Sequence, residues 1–243
     1  MSTKRIFLGM LTPSSNTILE PVTCAMLAGV PGVTAHFARF RVTEISMGDR
    51  ALNQFDNAPI LEAARLLADA RVNVIAWNGT SGGWLGLERD RELCEQIRKE
   101  TGIPATSSVL ALAEIFRKTG VTRYGLVTPY LDEIQAKILE NFGREGFTCA
   151  AERHLRDPGN FSFSEVTAET ISDMVRAVAK EKPQAMSIFC TNMAGAPLVE
   201  ALERETGIPI YDTVATAVWD SMRIAGVDPA LVKGWGSLFR DVK

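Results

Sequence analysis

A five-residue motif that occurs twice places the strongest constraint on how this chain can fold. The sequence Glu-Thr-Gly-Ile-Pro stands at residues 100–104 and again at residues 205–209. A Thr-Pro pair that follows an apolar run, at residues 12–13, returns at residues 128–129. The spacing between these landmarks differs by several residues, as loop insertions would allow, but their order is kept. We therefore expect a duplicated β/α unit whose two halves fold alike.

The apolar runs and amphipathic segments of each half indicate the α/β class. Short strands alternate with helices, the order that produces a parallel sheet covered by helices. We predict two pseudo-symmetric parallel-sheet lobes, residues 1–118 and residues 119–243, with a C-terminal helix that can cross over to the first lobe. The tail after residue 224 is predicted to be irregular. Because ligands bind at the carboxyl ends of parallel strands, a site is expected in the cleft between the lobes.

One of the four cysteines stands at a junction between a strand and a helix. Cys190 follows the apolar residues 187–189, and residues 193–197 are predicted to open a helix. A helix amino terminus at this point would favour anions and lower the pKa of the thiol. The other three cysteines match no zinc spacing and are interpreted as small apolar fillers of the core. Cys190 is therefore the candidate catalytic side chain.

The corresponding junction of the first half has glycine where the second half has the thiol. Gly79, Thr80 and Ser81 follow a predicted strand at residues 72–77, just as Thr191 and Asn192 accompany Cys190. Glycine cannot transfer a proton. Its backbone N–H group, together with those of Thr80 and Ser81, can bind a negatively charged oxygen at the start of a helix.

Residues at the strand-to-helix junctions and turns are further candidates, for substrate contacts. Those beside predicted strand ends or turns are Pro13, Ser14, Asn16, Tyr130, Asn160, Thr191 and Asn192. Structural alternatives exist for several of them, since Asn16 can simply cap a helix. Tyr130 can close a helix over the core, and Asn160 can serve only in its Asp-Pro-Gly-Asn turn.

Some features admit both a binding interpretation and a structural one. Residues 41–57 lack periodicity and are expected to form either a lid or a plain excursion with a short helix. Trp77 and Trp84 flank the Gly79 junction and either pack in the core or line an apolar pocket. His36 and His154 match no motif and are not assigned to a site.

The charge balance and the lack of familiar signatures exclude several classes of partner. A net charge of −3 and a pI near 5.6 give no electrostatic attraction to nucleic acid or to acidic lipid. No apolar run is long enough to span a bilayer, so a soluble cytoplasmic protein is expected. No phosphate-binding glycine motif, metal-ligand cluster or Ser-His-Asp signature is evident, which predicts that no cofactor is used. A homo-oligomer is compatible with the sequence.

Taken together, these residues resemble the aspartate/glutamate racemase superfamily, in its maleate isomerase and arylmalonate decarboxylase branch. The resemblance rests on the Pro-Ser-Ser-Asn-Thr turn at residues 13–17, Thr-Ser-Gly at residues 80–82, Thr-Pro-Tyr at residues 128–130, Asn160 and Cys190. These segments occur in the order that the branch uses, and the likeness spans nearly the whole chain.

The resemblance implies different chemistry for the two kinds of enzyme in this branch. The isomerases carry cysteines in both lobes and hold a dicarboxylate with residues matching Asn16, Tyr130 and Asn160. The decarboxylase has a single cysteine in the second lobe and uses neither metal nor organic cofactor. Gly79 makes this chain similar to the decarboxylase, whereas its Pro-Ser-Ser-Asn turn is closer to the isomerases.

The sequence therefore leads to a hypothesis and two alternatives. In the hypothesis a malonate-like acid loses carbon dioxide, the loop at residues 79–81 and the Tyr130 hydroxyl stabilise an enediolate, and Cys190 protonates one face as a general acid. The first alternative is a maleate-type isomerase or a racemase of a small carboxylate. The second is a protein that binds a small carboxylate without turnover.

Overall fold

The computed structural model describes residues 5–42 and 57–243. Most of the segment 41–57, for which the sequence predicts a lid or an excursion, lies outside the described residues. The elements of the first half are β1 (Ile6–Pro13), α1 (Leu19–Leu27), β2 (Val33–Phe40), α2 (Asn57–Asp69), β3 (Val74–Trp77), α3 (Gly82–Leu85), α4 (Leu87–Thr101), β4 (Ala105–Ser107) and α5 (Ser108–Thr119).

The second half repeats this alternation of strands and helices. Its elements are β5 (Arg123–Thr128), α6 (Asp132–Arg144), β6 (Thr148–His154), α7 (Ala168–Ala179), β7 (Ala185–Ile188), α8 (Val199–Thr206), β8 (Ile210–Asp212), α9 (Thr213–Ile224) and α10 (Ser237–Asp241). Short 3₁₀ turns lie at Phe161–Glu165, Ala196–Leu198 and Pro229–Leu231.

The strands form two four-stranded parallel sheets with the same internal order. The first sheet runs β2-β1-β3-β4 and the second runs β6-β5-β7-β8. Every pairing within these sheets is parallel. The α/β class with two similar parallel-sheet lobes, predicted from the repeated landmarks, is confirmed.

The repeated Glu-Thr-Gly-Ile-Pro motif forms the same local structure in both lobes. In each copy a glycine ends a helix in the left-handed conformation, with φ of 72° at Gly102 and 69° at Gly207, which glycine adopts without steric cost. The preceding threonine hydroxyl donates to a carbonyl of the last helical turn, 2.7 Å away for both Thr101 and Thr206. The motif is therefore a helix terminator that leads the chain into β4 and β8.

The C-terminal region packs against both halves. Helix α9 is buried almost throughout and contacts α5, β3 and β4 of the first lobe. The tail, predicted to be irregular, instead contains the short helix α10. Its first residue is anchored by Glu203, whose carboxylate accepts the N–H (2.7 Å) and the hydroxyl (2.6 Å) of Ser237. Leu238 and Phe239 of this helix are buried, and this tertiary burial stabilises a helix too short to be seen in the sequence pattern.

The sheet order determines where a ligand can enter. In the first lobe the chain passes from β1 to β2 on one side and then to β3 on the other side of β1. The second lobe makes the same reversal around β5. A crevice opens at the carboxyl ends of the central strands where the winding direction reverses. Both crevices contribute to one cleft. None of the described helices combines the length and apolarity that crossing a membrane requires.

Candidate active site

A narrow cleft lies between the lobes at the carboxyl ends of the central strands. All of the candidate residues named from the sequence line it, except Ser14. The cleft thus brings together segments that are more than a hundred residues apart. Val42, Trp77 and Trp84 also line it. The sequence contained a signal for the two tryptophans, which flank the Gly79 junction, but none for Val42.

Ser14 is exposed and its side chain is engaged outside the cleft. Its hydroxyl accepts the N–H of Val42 at 3.1 Å and donates to the carbonyl of the same residue at 3.2 Å. Ser14 therefore fastens the end of β2 to the end of β1. The structure gives it no contact with the cleft.

Asn16 joins the two lobes through its side-chain amide. Its Nδ2 donates to the backbone carbonyl of Thr191 at 3.0 Å and to the Thr191 hydroxyl at 3.1 Å. Its Oδ1 accepts the N–H groups of Ile18 and Leu19 at the start of α1. The helix-capping interpretation and the cleft interpretation therefore both describe this one side chain.

Two further amides continue the connection between the lobes. Asn192 donates from Nδ2 to the carbonyl of Asn160 at 2.6 Å and accepts the N–H of Thr17 at 2.9 Å. Asn160 in turn donates to the Ser15 hydroxyl at 2.8 Å. Each of these two side chains lines the cleft and makes one bond to the first lobe, Asn192 with Thr17 and Asn160 with Ser15, so they hold the two walls of the cleft together.

Tyr130 bridges the Thr80 loop and the thiol. Its hydroxyl lies 2.6 Å from Oγ1 of Thr80 and also hydrogen-bonds to the side chain of Cys190. The ring packs edge-on against Trp84 and Phe163. Burial raises the pKa of Tyr130 well above its ordinary value. Tyr130 is therefore a neutral phenol that can donate a hydrogen bond into the cleft.

The environment of Cys190 differs from the one that the sequence predicts. The regular helix α8 begins only at Val199, so the thiol does not stand at a helix amino terminus. The N–H groups of Asn192 and Met193 and the Tyr130 hydroxyl contact the sulfur and lower its pKa, but burial outweighs them and raises the pKa to about 12. Cys190 is therefore a protonated thiol at neutral pH.

The Gly79 loop forms the opposite wall of the cleft. Gly79, Thr80 and Ser81 connect β3 to the short helix α3 and are all buried. Within the described part of the chain, no other group accepts a hydrogen bond from the backbone N–H of these three residues. These N–H groups are therefore available as donors for a bound anion.

Two buried carboxyl groups near the cleft were not identified from the sequence. Asp212 is fully buried at the end of β8, where it accepts the N–H of Val214 at 2.8 Å and caps α9. Asp90 lies in α4 behind the Gly79 loop. Burial raises the pKa of each carboxyl group to about 7. The sequence signal for Asp212 was its position as a capping residue before a helix. Asp90 is a single acidic residue inside α4, and the sequence gave no signal for it.

Among residues 5–42 and 57–243, no three His, Cys, Asp or Glu side chains lie close enough together to hold a metal ion.

Comparison with known proteins gives a consistent family relationship. A family model described as arylmalonate decarboxylase matches residues 17–239. Maleate isomerase of Nocardia farcinica is 29% identical, over 99% of this chain and 97% of that protein. Arylmalonate decarboxylase of Bordetella bronchiseptica is 25% identical, over 74% of this chain and 76% of that protein.

Among solved structures, a variant of Nocardia farcinica maleate cis-trans isomerase with a covalently bound succinylcysteine intermediate has a TM-score of 0.89. It is 26% identical, and the match covers 98% of this chain and 99% of that chain.

Proposed function

Because this chain belongs to the arylmalonate decarboxylase family, in the branch of the aspartate/glutamate racemase superfamily that includes maleate isomerase, we propose that it is a cofactor-independent decarboxylase of a malonate-like acid. The observation that carries the proposal is the asymmetry of the cleft, which places the buried thiol of Cys190 in one lobe and Gly79 in the other. Of the described residues that line the cleft, Cys190 is the only cysteine, and burial raises its pKa to about 12. A protonated thiol suits proton delivery, whereas covalent catalysis requires a thiolate.

The reaction begins with the breaking of a carbon–carbon bond. One carboxylate leaves as carbon dioxide, and the electron pair of the broken bond forms an enediolate with the remaining carboxylate. The Cys190 S–H then gives its proton to the α-carbon, which yields the monocarboxylate and a thiolate. Water returns a proton to the sulfur. No base is needed to start this sequence, because the breaking bond supplies the electrons.

Stabilisation of the enediolate is assigned to donors on both walls of the cleft. The N–H groups of Gly79, Thr80 and Ser81 face the developing negative charge from the first lobe, and the Tyr130 hydroxyl supplements them from the second. A preorganised donor of this kind is worth roughly 3–4 kcal/mol in the transition state. The buried thiol delivers its proton from one side, so the product is expected to be stereochemically biased.

The interlobe amides have a supporting role in this proposal. Asn16, Asn160, Thr191 and Asn192 line the cleft but bond mainly to one another or to the neighbouring backbone. We assign to them, with Pro13, the task of fixing the spacing between the thiol and the Gly79 loop. A fixed spacing reduces the reorganisation that the reaction would otherwise require.

The second candidate is a maleate-type isomerase, and the relatives favour it. The Nocardia farcinica isomerase is the more similar of the two curated relatives described above, and its structure contains a succinyl group on a cysteine. In this chain Gly79 stands in the first lobe where the resemblance implies a second cysteine. An isomerase built on this cleft would have to use Cys190 alone as the nucleophile, which requires the thiol to ionise despite its burial.

One experiment separates these candidates. The purified protein is incubated with malonate, methylmalonate, phenylmalonate or maleate, and carbon dioxide and fumarate are measured. Decarboxylation of a malonate that is lost in Cys190→Ser and kept in Cys149→Ser, a half-buried cysteine outside the cleft, supports the proposal. Fumarate formation without carbon dioxide favours the isomerase. Binding of these acids without any turnover contradicts both.

A further inference from the structure

Trp77 occupies the space beside Gly79 in which a side chain would stand. A Cβ atom built on Gly79 would lie 2.0 Å from Cζ2 and 2.3 Å from Cη2 of the indole. Ordinary van der Waals contact between such carbons requires about 3.5 Å or more. The ring therefore packs directly on the backbone of the Gly79 loop, and a larger residue at position 79 requires the ring to move.

The indole is held in this position from two other sides. It is 1% exposed and packs against the ring of Phe40 with 5.1 Å between centroids. Its side chain also hydrogen-bonds to the carboxyl group of Asp90, which lies 2.5 Å from the hydroxyl of Ser107. Asp90 in turn lies under the next turn of the loop, because a Cβ built on Gly82 would meet its carboxyl carbon at 2.5 Å.

Trp77 also separates the cleft from a second cavity. This neighbouring cavity is small, and Ile60, Leu85 and Leu93 form its apolar side, whereas Asn57, Arg89 and Asp90 form its polar side. Trp77 and Ser81 line both spaces. The indole is thus a partition, and a shorter side chain at position 77 would join the two spaces.

We propose that Trp77 is a specificity-determining residue, which limits the α-substituent of the substrate to a small group by closing the second cavity, and that Asp90 is the residue that positions its ring. This inference rests on the proposed substrate class, a malonate-like acid. In the native protein the malonates that bind best are those whose α-carbon carries hydrogen or methyl. With the indole removed, the volume that the ring vacates, together with the small space beside Ile60, Leu85 and Leu93, becomes available to a bulkier apolar substituent.

The specificity is tested by binding, without reliance on turnover. Calorimetry measures the dissociation constants of methylmalonate and benzylmalonate for the Cys190→Ser protein, alone and combined with Trp77→Leu. We expect Trp77→Leu to shift the ratio of the two constants toward benzylmalonate by at least tenfold, since a few methylene equivalents in an apolar pocket change affinity by that much or more. Trp219→Phe, which alters a fully buried indole outside the cleft, should leave the ratio unchanged.

The positioning role of Asp90 is tested in the same assay. Asp90→Asn retains an oxygen that can accept from the indole N–H and should keep the native ratio. Asp90→Leu removes this acceptor, frees the ring and should move the ratio in the direction of Trp77→Leu. A native ratio in Asp90→Leu would contradict the positioning role.

A thermal measurement tests the packing independently of any ligand. Gly79→Ala should lower the melting temperature by several degrees in the native background, because overpacking a rigid site is destabilising, and should cost much less in the Trp77→Leu background. Equal losses in both backgrounds would overturn the inference. If the malonates bind but the ratio of their dissociation constants is the same in every variant, the inference about Trp77 is wrong while the proposed function stands. If no variant binds a malonate, the proposed function is contradicted as well.

Discussion

The hydroxyl of Tyr130, from the second lobe, lies 2.6 Å from Oγ1 of Thr80, from the first lobe. The same hydroxyl contacts the thiol of Cys190. The proposed proton donor and the proposed anion-binding loop are therefore connected through one phenol. A substrate between the lobes would meet both groups at a separation that Tyr130 fixes.

Tyr130→Phe should reduce kcat strongly while the protein stays folded. The variant loses one donor to the enediolate, which is expected to lower kcat by about 10²–10³-fold, but it keeps the ring packed against Trp84 and Phe163. Initial rates of carbon dioxide release and the melting temperature measure the two effects. The control is Tyr124→Phe, because the Tyr124 hydroxyl is buried outside the cleft with no hydrogen-bond partner among the described residues. If the two variants release carbon dioxide at equal rates, Tyr130 has no role in the mechanism.

The thiol of Cys190 should resist alkylation at neutral pH. Burial raises its pKa to about 12, so almost none of it is thiolate at pH 7 to 8, and the sulfur is also shielded from solvent. Iodoacetamide labelling followed by mass spectrometry should modify the exposed Cys24 well before Cys190. Faster labelling of Cys190 would indicate a reactive thiolate and would support the isomerase instead.

Asn16→Ala should destabilise the protein by loosening the junction between the lobes. The change removes the two bonds to Thr191 and also the two cap bonds from the N–H groups of Ile18 and Leu19. Buried groups are left without partners, at a cost of about 1–3 kcal/mol. For a chain of this size each kcal/mol lowers Tm by roughly 2–4 °C. Asn57→Ala, which loses one half-buried bond to Gln96, is the matched control and should cost less. A Tm equal to that of the control would contradict the interlobe role.

The buried carboxyl group of Asp90 should make stability depend on pH. Because burial raises its pKa from 3.8 to about 7, the native state holds a proton over this range that the unfolded chain has released. The free energy of unfolding should therefore fall as pH rises from about 4 to about 7, by at most about 1.4 kcal/mol per pH unit for this group. Urea unfolding at several pH values should show a shallower slope for Asp90→Asn. Some slope should remain in this variant, because the pKa of Asp212 is raised in the same way. A slope equal to that of the native protein would contradict the raised pKa of Asp90.

The fold could be predicted because its signals are local and occur twice. A helix terminator such as residues 100–104 acts through its own glycine and threonine, so its copy at residues 205–209 shows where the second lobe repeats the first. The residues of the cleft could be found because parallel strands all end at the same edge. The cytoplasmic location and the homo-oligomer stay predictions, as do the roles of the individual site residues.

What the sequence did not reveal depends on contacts between distant segments. The position of the Trp77 ring beside Gly79 depends on two distant residues, Asp90 in helix α4 and Phe40 in strand β2. Cys190 was expected at a helix start, but α8 begins nine residues later, so burial rather than a helix terminus determines the pKa of its thiol. Ser14 does not line the cleft, and its hydroxyl bonds instead to the backbone of Val42, two residues beyond the end of β2.

The stereochemistry of protonation tests the central claim most directly. Methylmalonate is incubated with the protein in deuterated water, and the configuration of the resulting 2-deuteriopropionate is determined by NMR with a chiral reagent. A single thiol that delivers its proton from one side predicts carbon dioxide release and one predominant enantiomer, both lost in Cys190→Ser. A racemic product, or release that survives the loss of the thiol, would contradict the account.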